Sequence, residues 1–118
     1  MNKRKTGTEK EALAVAYLKE KGYTILEFNY RCRYGEIDIV ARQGQMLVIA
    51  EVKYRSTGKC GDPAEAVDFR KRQKICRVTM DYLMRHPYEQ GKQCRFDVIA
   101  IYGEGRIRHV ENAFPYCG

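Results

Sequence analysis

The 118-residue chain is 44% apolar and carries 22 lysines and arginines against 15 aspartates and glutamates, a net charge of +7, with a pI near 9.2. A single domain spanning 1–118 fits that length, and the apolar share is too high for a disordered chain. Met1 to Gly7 is basic and polar with no long apolar run behind it, which predicts neither a signal peptide nor a membrane span, and the charge suggests a polyanionic partner, nucleic acid first.

Thr8 to Lys21 reads as a helix, with Thr8 as N-cap, Glu11 closing a capping box and Gly22 as the stop. Glu11, Ala14, Val15 and Leu18 share one face by their i, i+3, i+4, i+7 spacing. Tyr23 to Tyr30 is the first strand and Glu36 to Arg42 the second. Along the second, Ile37, Ile39 and Ala41 point one way and Glu36, Asp38 and Val40 the other. Met46 to Tyr54 is the third, and its unbroken apolar start from Met46 to Ala50 predicts a central strand covered on both faces. Asp62-Pro63 opens a second helix as N-cap and first turn, running towards His86 and stopped by Pro87, with a break near Phe69. Its inner stripe is Ile75, Val78, Tyr82 and Leu83. Arg95 to Tyr102 and Ile107 to Val110 are the last strands, joined by a turn at Gly103-Glu104-Gly105. The order α-β-β-β-α-β-β predicts an α/β (α+β) fold, a mixed sheet with helices packed on it.

The chemistry sits where charges interrupt the apolar strands. Glu51 and Lys53 leave the same face of the third strand as Ile49. Gly44-Gln45 fits a two-residue type II′ turn, which wants glycine first. That turn pairs Gln43 with Met46, and counting back sets Asp38 opposite Glu51 and Glu36 opposite Lys53. Like charges facing each other across a sheet are destabilising, and a cation between them reverses the sign. Carboxylate oxygens suit Mg²⁺ or Mn²⁺ rather than zinc. Such an ion activates water and neutralises charge growing on a phosphate. Lys53 beside it would orient or deprotonate that water or stabilise the transition state. The plainer alternative is a cross-strand ion pair of Lys53 with Glu51 or Glu36.

Asp38, followed thirteen positions later by Glu51-Val52-Lys53, resembles the PD-(D/E)xK nuclease motif, with Ile37 where that motif's name has proline. The resemblance is closer still to the YraN-like family of small bacterial proteins. It is carried by Glu11, Ala14 and Tyr17-Leu18; by Asn29, Arg31 and Gly35-Glu36-Ile37-Asp38; by Glu51-Val52-Lys53, Arg55 and Lys71; and by Phe96-Asp97-Val98 and Asn112-Ala113-Phe114. Lys10 stands where that pattern has glycine and Ala50 where it has valine. The resemblance implies a restriction-endonuclease-like fold, with Asp38 and Glu51 holding the metal, Lys53 as the catalytic lysine and Glu11 as a further acid from the first helix.

Glu11 has two readings, helix cap or site residue, and Glu36 has two, a neighbour of Lys53 within the site or a plain ion pair. The run Arg70, Lys71, Arg72, Lys74 and Arg77 suits DNA-backbone contact, with Lys71, Arg72 and Lys74 as its candidates. Arg31, Arg33, Arg55 and Lys59 flank the acidic stretch and would carry phosphates to the metal. Asp97 is expected to pair with an arginine, and His86 and His109 to be structural or surface residues. The aromatics, 11% of the chain, lack the periodicity of a base-stacking platform. Five cysteines without CxxC spacing point to reduced thiols in a cytoplasm, not to a disulfide framework or a zinc ribbon. Two functions follow: a metal-dependent nuclease acting on DNA rather than RNA, on branched or damaged structures, or a non-catalytic nucleic-acid-binding module with a vestigial site. The sequence sets no oligomeric state.

Overall fold

The first helix, α1 (Lys3–Glu20), begins ahead of Thr8, so Thr8 is no N-cap and Glu11 lies well inside the helix. No proline interrupts Lys3 to Thr8, and Gly7 costs only about 1 kcal/mol within a helix. The structure is a computed structural model that describes residues 3–55, 67–89, 93–103 and 105–115. The helix stops where expected. Gly22 adopts φ +94°, and the Tyr23 and Gly22 N–H groups donate to the Leu18 and Lys19 carbonyls at 2.9 and 3.0 Å, a Schellman motif.

Strands β1 (Thr24–Cys32), β2 (Gly35–Gln43) and β3 (Met46–Arg55) form an antiparallel meander. Helix α2 (Phe69–Arg85) then carries the chain over the sheet, so β4 (Gln93–Tyr102) pairs parallel to β3, and β5 (Ile107–Phe114) returns antiparallel. The order α-β-β-β-α-β-β is as expected, and the sheet runs β1-β2-β3-β4-β5. Asp68 caps α2, accepting from the Lys71 N–H at 2.9 Å, which fixes the helix start at the anticipated break. The Asp62-Pro63 start lies outside the described residues.

The core has two layers. Ile37, Val40, Leu47 and Ile49 pack under α2 with Ile75, Val78 and Tyr82. Ile39, Ala41, Val48 and Ala50 pack under α1 with Ala14 and Leu18. Strand β3 is thus covered on both faces. Along β2 the expected alternation fails, because Ile37 joins Val40 and not Ile39. The slip falls at Asp38, across from Asn29, which adopts φ +56° between the pairs Phe28–Ile39 and Tyr30–Ile37. Asparagine tolerates that left-handed conformation better than most residues, and it turns the strand pair at this point. Strand β5 also continues past Val110, and Phe114 pairs with Phe96, their rings stacked 4.9 Å apart. Cys76 is disulfide-bonded, against the expectation of reduced thiols, while Cys32 and Cys94 are free.

One buried polar network pins α1 to the sheet. Asp97 is fully buried. Arg95 donates to it through Nε and Nη2 at 2.9 and 2.8 Å, and the Asn112 N–H donates at 3.0 Å. His109 Nε2 lies 2.7 Å from Asp97 and its Nδ1 lies 3.1 Å from the Tyr17 hydroxyl, while Arg95 Nη2 donates to the Tyr23 hydroxyl at 2.7 Å. Burial alone would raise the Asp97 pKa, but donation from His109, Arg95 and Asn112 outweighs it and holds the carboxyl below its usual range. Hydrogen bonds to charged groups contribute about 1.5–3 kcal/mol. Asp97→Asn should therefore destabilise the protein by about that much, read as a lower midpoint in thermal melts. An unchanged midpoint would show that the network is dispensable.

Candidate active site

The β2–β3 ladder runs from Gln43–Met46 to Ile39–Ala50, the register that the Gly44-Gln45 turn predicts. Gly44 has φ +60° and Gln45 does not enter the left-handed region, as type II′ requires. Beyond Ala50 the ladder ends. The Val52 N–H donates to Asp38 Oδ2 at 2.8 Å, so a carboxylate takes the amide that a strand partner would have used. Asp38 and Glu51 are therefore not a ladder pair. Glu36 meets Arg31 instead of Lys53, with Nε and Oε1 3.6 Å apart and both side chains exposed. The parted strands leave a cleft of about 430 Å³, lined by Glu36, Asp38, Glu51 and Lys53 from the sheet and by Lys71 and Lys74 from α2.

Glu51 is 3% exposed. Its Oε1 lies 3.3 Å from Lys71 Nζ, and its buried Oε2 has no hydrogen-bond partner among the described residues. Burial first, and the Asp38 charge next, push the Glu51 carboxyl up to about 7. Burial also raises Asp38, against the Val52 N–H that favours its ionised form, with Glu11 and Glu36 adding repulsion. Lys53 is held below its usual range by burial and then by the charge of the neighbouring Lys71. Burial would lower Lys71 too, but Glu51 and Lys53 hold it above its usual range. A buried acid with one oxygen unsatisfied, a second acid beside it and only oxygen donors among the acids match the needs of a hard divalent cation. Glu11, Glu36 and Asp38 each bring a carboxylate oxygen within 4.8 Å of the others, a group that Glu51 adjoins without joining.

Asp38, Glu51, Lys53 and Glu36 thus line one cleft, and Glu11 reaches Asp38 from α1. Lys71, read from the sequence as a DNA contact, enters the same cleft. Its signal was the cap: Asp68 sets the helix start, and Lys71 then lies one turn before the buried Ile75 on the same face. Lys74 lines the cleft and is exposed. Arg72 turns away, its Nε donating to the Val67 carbonyl at 2.8 Å and its guanidinium lying 5.1 Å from the Phe114 ring centre. Arg31 and Arg33 are exposed near the β1–β2 turn, Arg55 ends β3, and Lys59 lies outside the described residues.

Residues 10–101 match a family described as "Uncharacterised protein family UPF0102". A UPF0102 protein of Lachnoclostridium phytofermentans is 46% identical over 118 residues, covering 100% of this chain and 99% of that protein. One from Alkaliphilus oremlandii is 48% identical over 118 residues, covering 97% of this chain and 100% of its own. One from Clostridioides difficile is 45% identical over 115 residues, covering 97% and 100%.

Proposed function

The chain belongs to the UPF0102 family, and we propose that it is a metal-dependent nuclease that hydrolyses phosphodiester bonds of DNA. The observation that carries this reading is the buried Oε2 of Glu51, unpartnered among the described residues, set beside Asp38 and Lys53 in one cleft. Asp38 and Glu51 would hold Mg²⁺ or Mn²⁺, with Glu36 and Glu11 in reach of Asp38. Such an ion, when bound, supplies water activation and neutralises charge on the phosphate. The chain's own residues do the rest. The Val52 N–H fixes Asp38, and Lys71 anchors Glu51 through Oε1 and leaves Oε2 without a partner among the described residues. Lys53, whose amine is held below its usual range, is suited to take the proton of the attacking water at Nζ.

Several features support a DNA substrate and the PD-(D/E)xK resemblance. The net charge is +7, and Arg70, Lys74 and Arg77 are exposed on α2. The mixed sheet with its β3–α2–β4 crossover suits the restriction-endonuclease-like arrangement that the motif implies. Small size favours recognition by shape and backbone, which suits branched or damaged DNA. A DNA substrate would place the protein in the cytoplasm. Among the described residues no helix is long and apolar enough to cross a membrane.

The second reading is a nucleic-acid-binding module with a vestigial site, favoured by the Lys71–Glu51 pair, which offsets part of the buried charge without an ion. Incubating the purified protein with single-stranded, duplex, flap and four-way DNA and with RNA, in Mn²⁺, separates the two. The nuclease should cut at least one of the DNA forms and stop on chelation. Binding without cleavage of any substrate would favour the module.

A further inference from the structure

Beside the catalytic cleft lies a second cleft of about 470 Å³, lined by Arg33, Tyr34, Arg77, Met80 and Met84. The two adjoin through the backbone and through α2. Gly35 lines the first and Tyr34 the second, while Lys74 borders the first and Arg77, three residues on, the second. Three residues of helix rise about 4.5 Å. The second cleft exposes broad apolar faces, with Tyr34 38% exposed, Met80 44% and Met84 75%. The Arg33 guanidinium lies 5.1 Å from the Tyr34 ring centre and its Nη2 donates to the Tyr34 hydroxyl at 3.2 Å. Among the described residues the one acid there, Asp81, is already engaged by the Tyr30 hydroxyl at 2.5 Å and by Arg85 Nε at 3.0 Å.

A partly exposed tyrosine with a guanidinium over its ring, a second cation and flexible thioethers match a nucleotide whose base face is bare. In a duplex those faces are stacked on their neighbours, and protein contacts are left with phosphates and groove edges. We infer that this second cleft holds an unpaired nucleotide of the substrate strand, next to the phosphate over the carboxylates. The nuclease would then act where duplex gives way to single strand. The inference rests on the nuclease reading for the position of the scissile phosphate. The cleft was not visible as a stacking platform in the sequence because Tyr34 sits in the β1–β2 turn and the methionines on α2.

The test is fluorescence anisotropy in chelator, where nothing is cut, with a blunt hairpin duplex and the same hairpin carrying a short single-stranded tail. Wild-type protein should prefer the tailed form by about tenfold or more, the usual scale of one base stacked on an aromatic side chain. Tyr34→Ala and Met84→Ser should each erase most of that preference and leave blunt-duplex affinity within about twofold, while Tyr34→Phe retains it. Both residues are exposed, so folding should survive. Equal affinity of the wild type for both forms, or equal weakening on both in Tyr34→Ala, overturns the inference. A protein that shows the preference yet cuts no DNA in Mn²⁺ keeps this cleft's role and loses only the nuclease reading.

Discussion

Lys53→Met should bind DNA within a few-fold of the wild-type affinity and cleave it at least about a hundredfold more slowly. The Lys53 amine acts on the attacking water and the developing charge, interactions made mainly in the transition state. Losing such interactions lowers turnover far more than affinity. A lost charge-stabilising donor typically costs about 2.7–4 kcal/mol, or 10²–10³ in rate. Methionine keeps the aliphatic stem, and Lys53 is half-buried on a strand paired through its backbone with β4 at Ala100, so the sheet should persist. Single-turnover cleavage and equilibrium binding on the same substrate check the two halves of this expectation. Undiminished metal-stimulated cleavage in the variant would remove Lys53 from the reaction.

Glu51→Gln should make the metal-free protein more stable at pH 8 while abolishing its response to divalent ions. The folded Glu51 carboxyl titrates at about 7 against an ordinary value of 4.5. Between those values the folded state binds more protons than the unfolded chain, so Glu51 lowers stability progressively as pH rises through that window. Above pH 7 the full cost remains, up to about 3 kcal/mol at about 1.4 kcal/mol per pH unit. The amide never ionises and escapes that cost, less what it loses with Lys71. Urea midpoints at pH 5 and pH 8 should therefore separate wild type from variant at the higher pH and draw them together at the lower. A variant less stable than wild type at pH 8 would mean that Glu51 is a structural ion pair.

How much of this site the sequence carried can be traced residue by residue. Gly44-Gln45 encodes the β2–β3 register, because a two-residue turn leaves the ladder no freedom to slide. The apolar run from Met46 to Ala50 encodes the centre of the sheet. The end of the ladder at Ala50 was hidden. It depends on the Asp38 carboxylate capturing the Val52 amide, and a competition between a side chain and a strand partner leaves no periodic trace. The change of face between Ile37 and Ile39 depends on the conformation of Asn29 on another strand. Arg72 shows what a run of cations leaves out. It sits in a run of cations, and charge counting cannot foresee that the Val67 carbonyl and the Phe114 ring hold it. The early start of α1 removes the cap reading of Glu11, since a residue deep in a helix cannot close a capping box at its end.

The central claim is that Asp38 and Glu51 complete their site with a divalent cation, and manganese titration followed by thermal melting tests it most directly. An ion bound only by the folded state stabilises it by about 2.7 kcal/mol at a hundred times its dissociation constant. The wild-type midpoint should climb with manganese concentration and saturate, and Asp38→Ala should stay flat across the same range. A wild-type midpoint unmoved up to millimolar manganese, or a rise that persists in Asp38→Ala, would contradict the account.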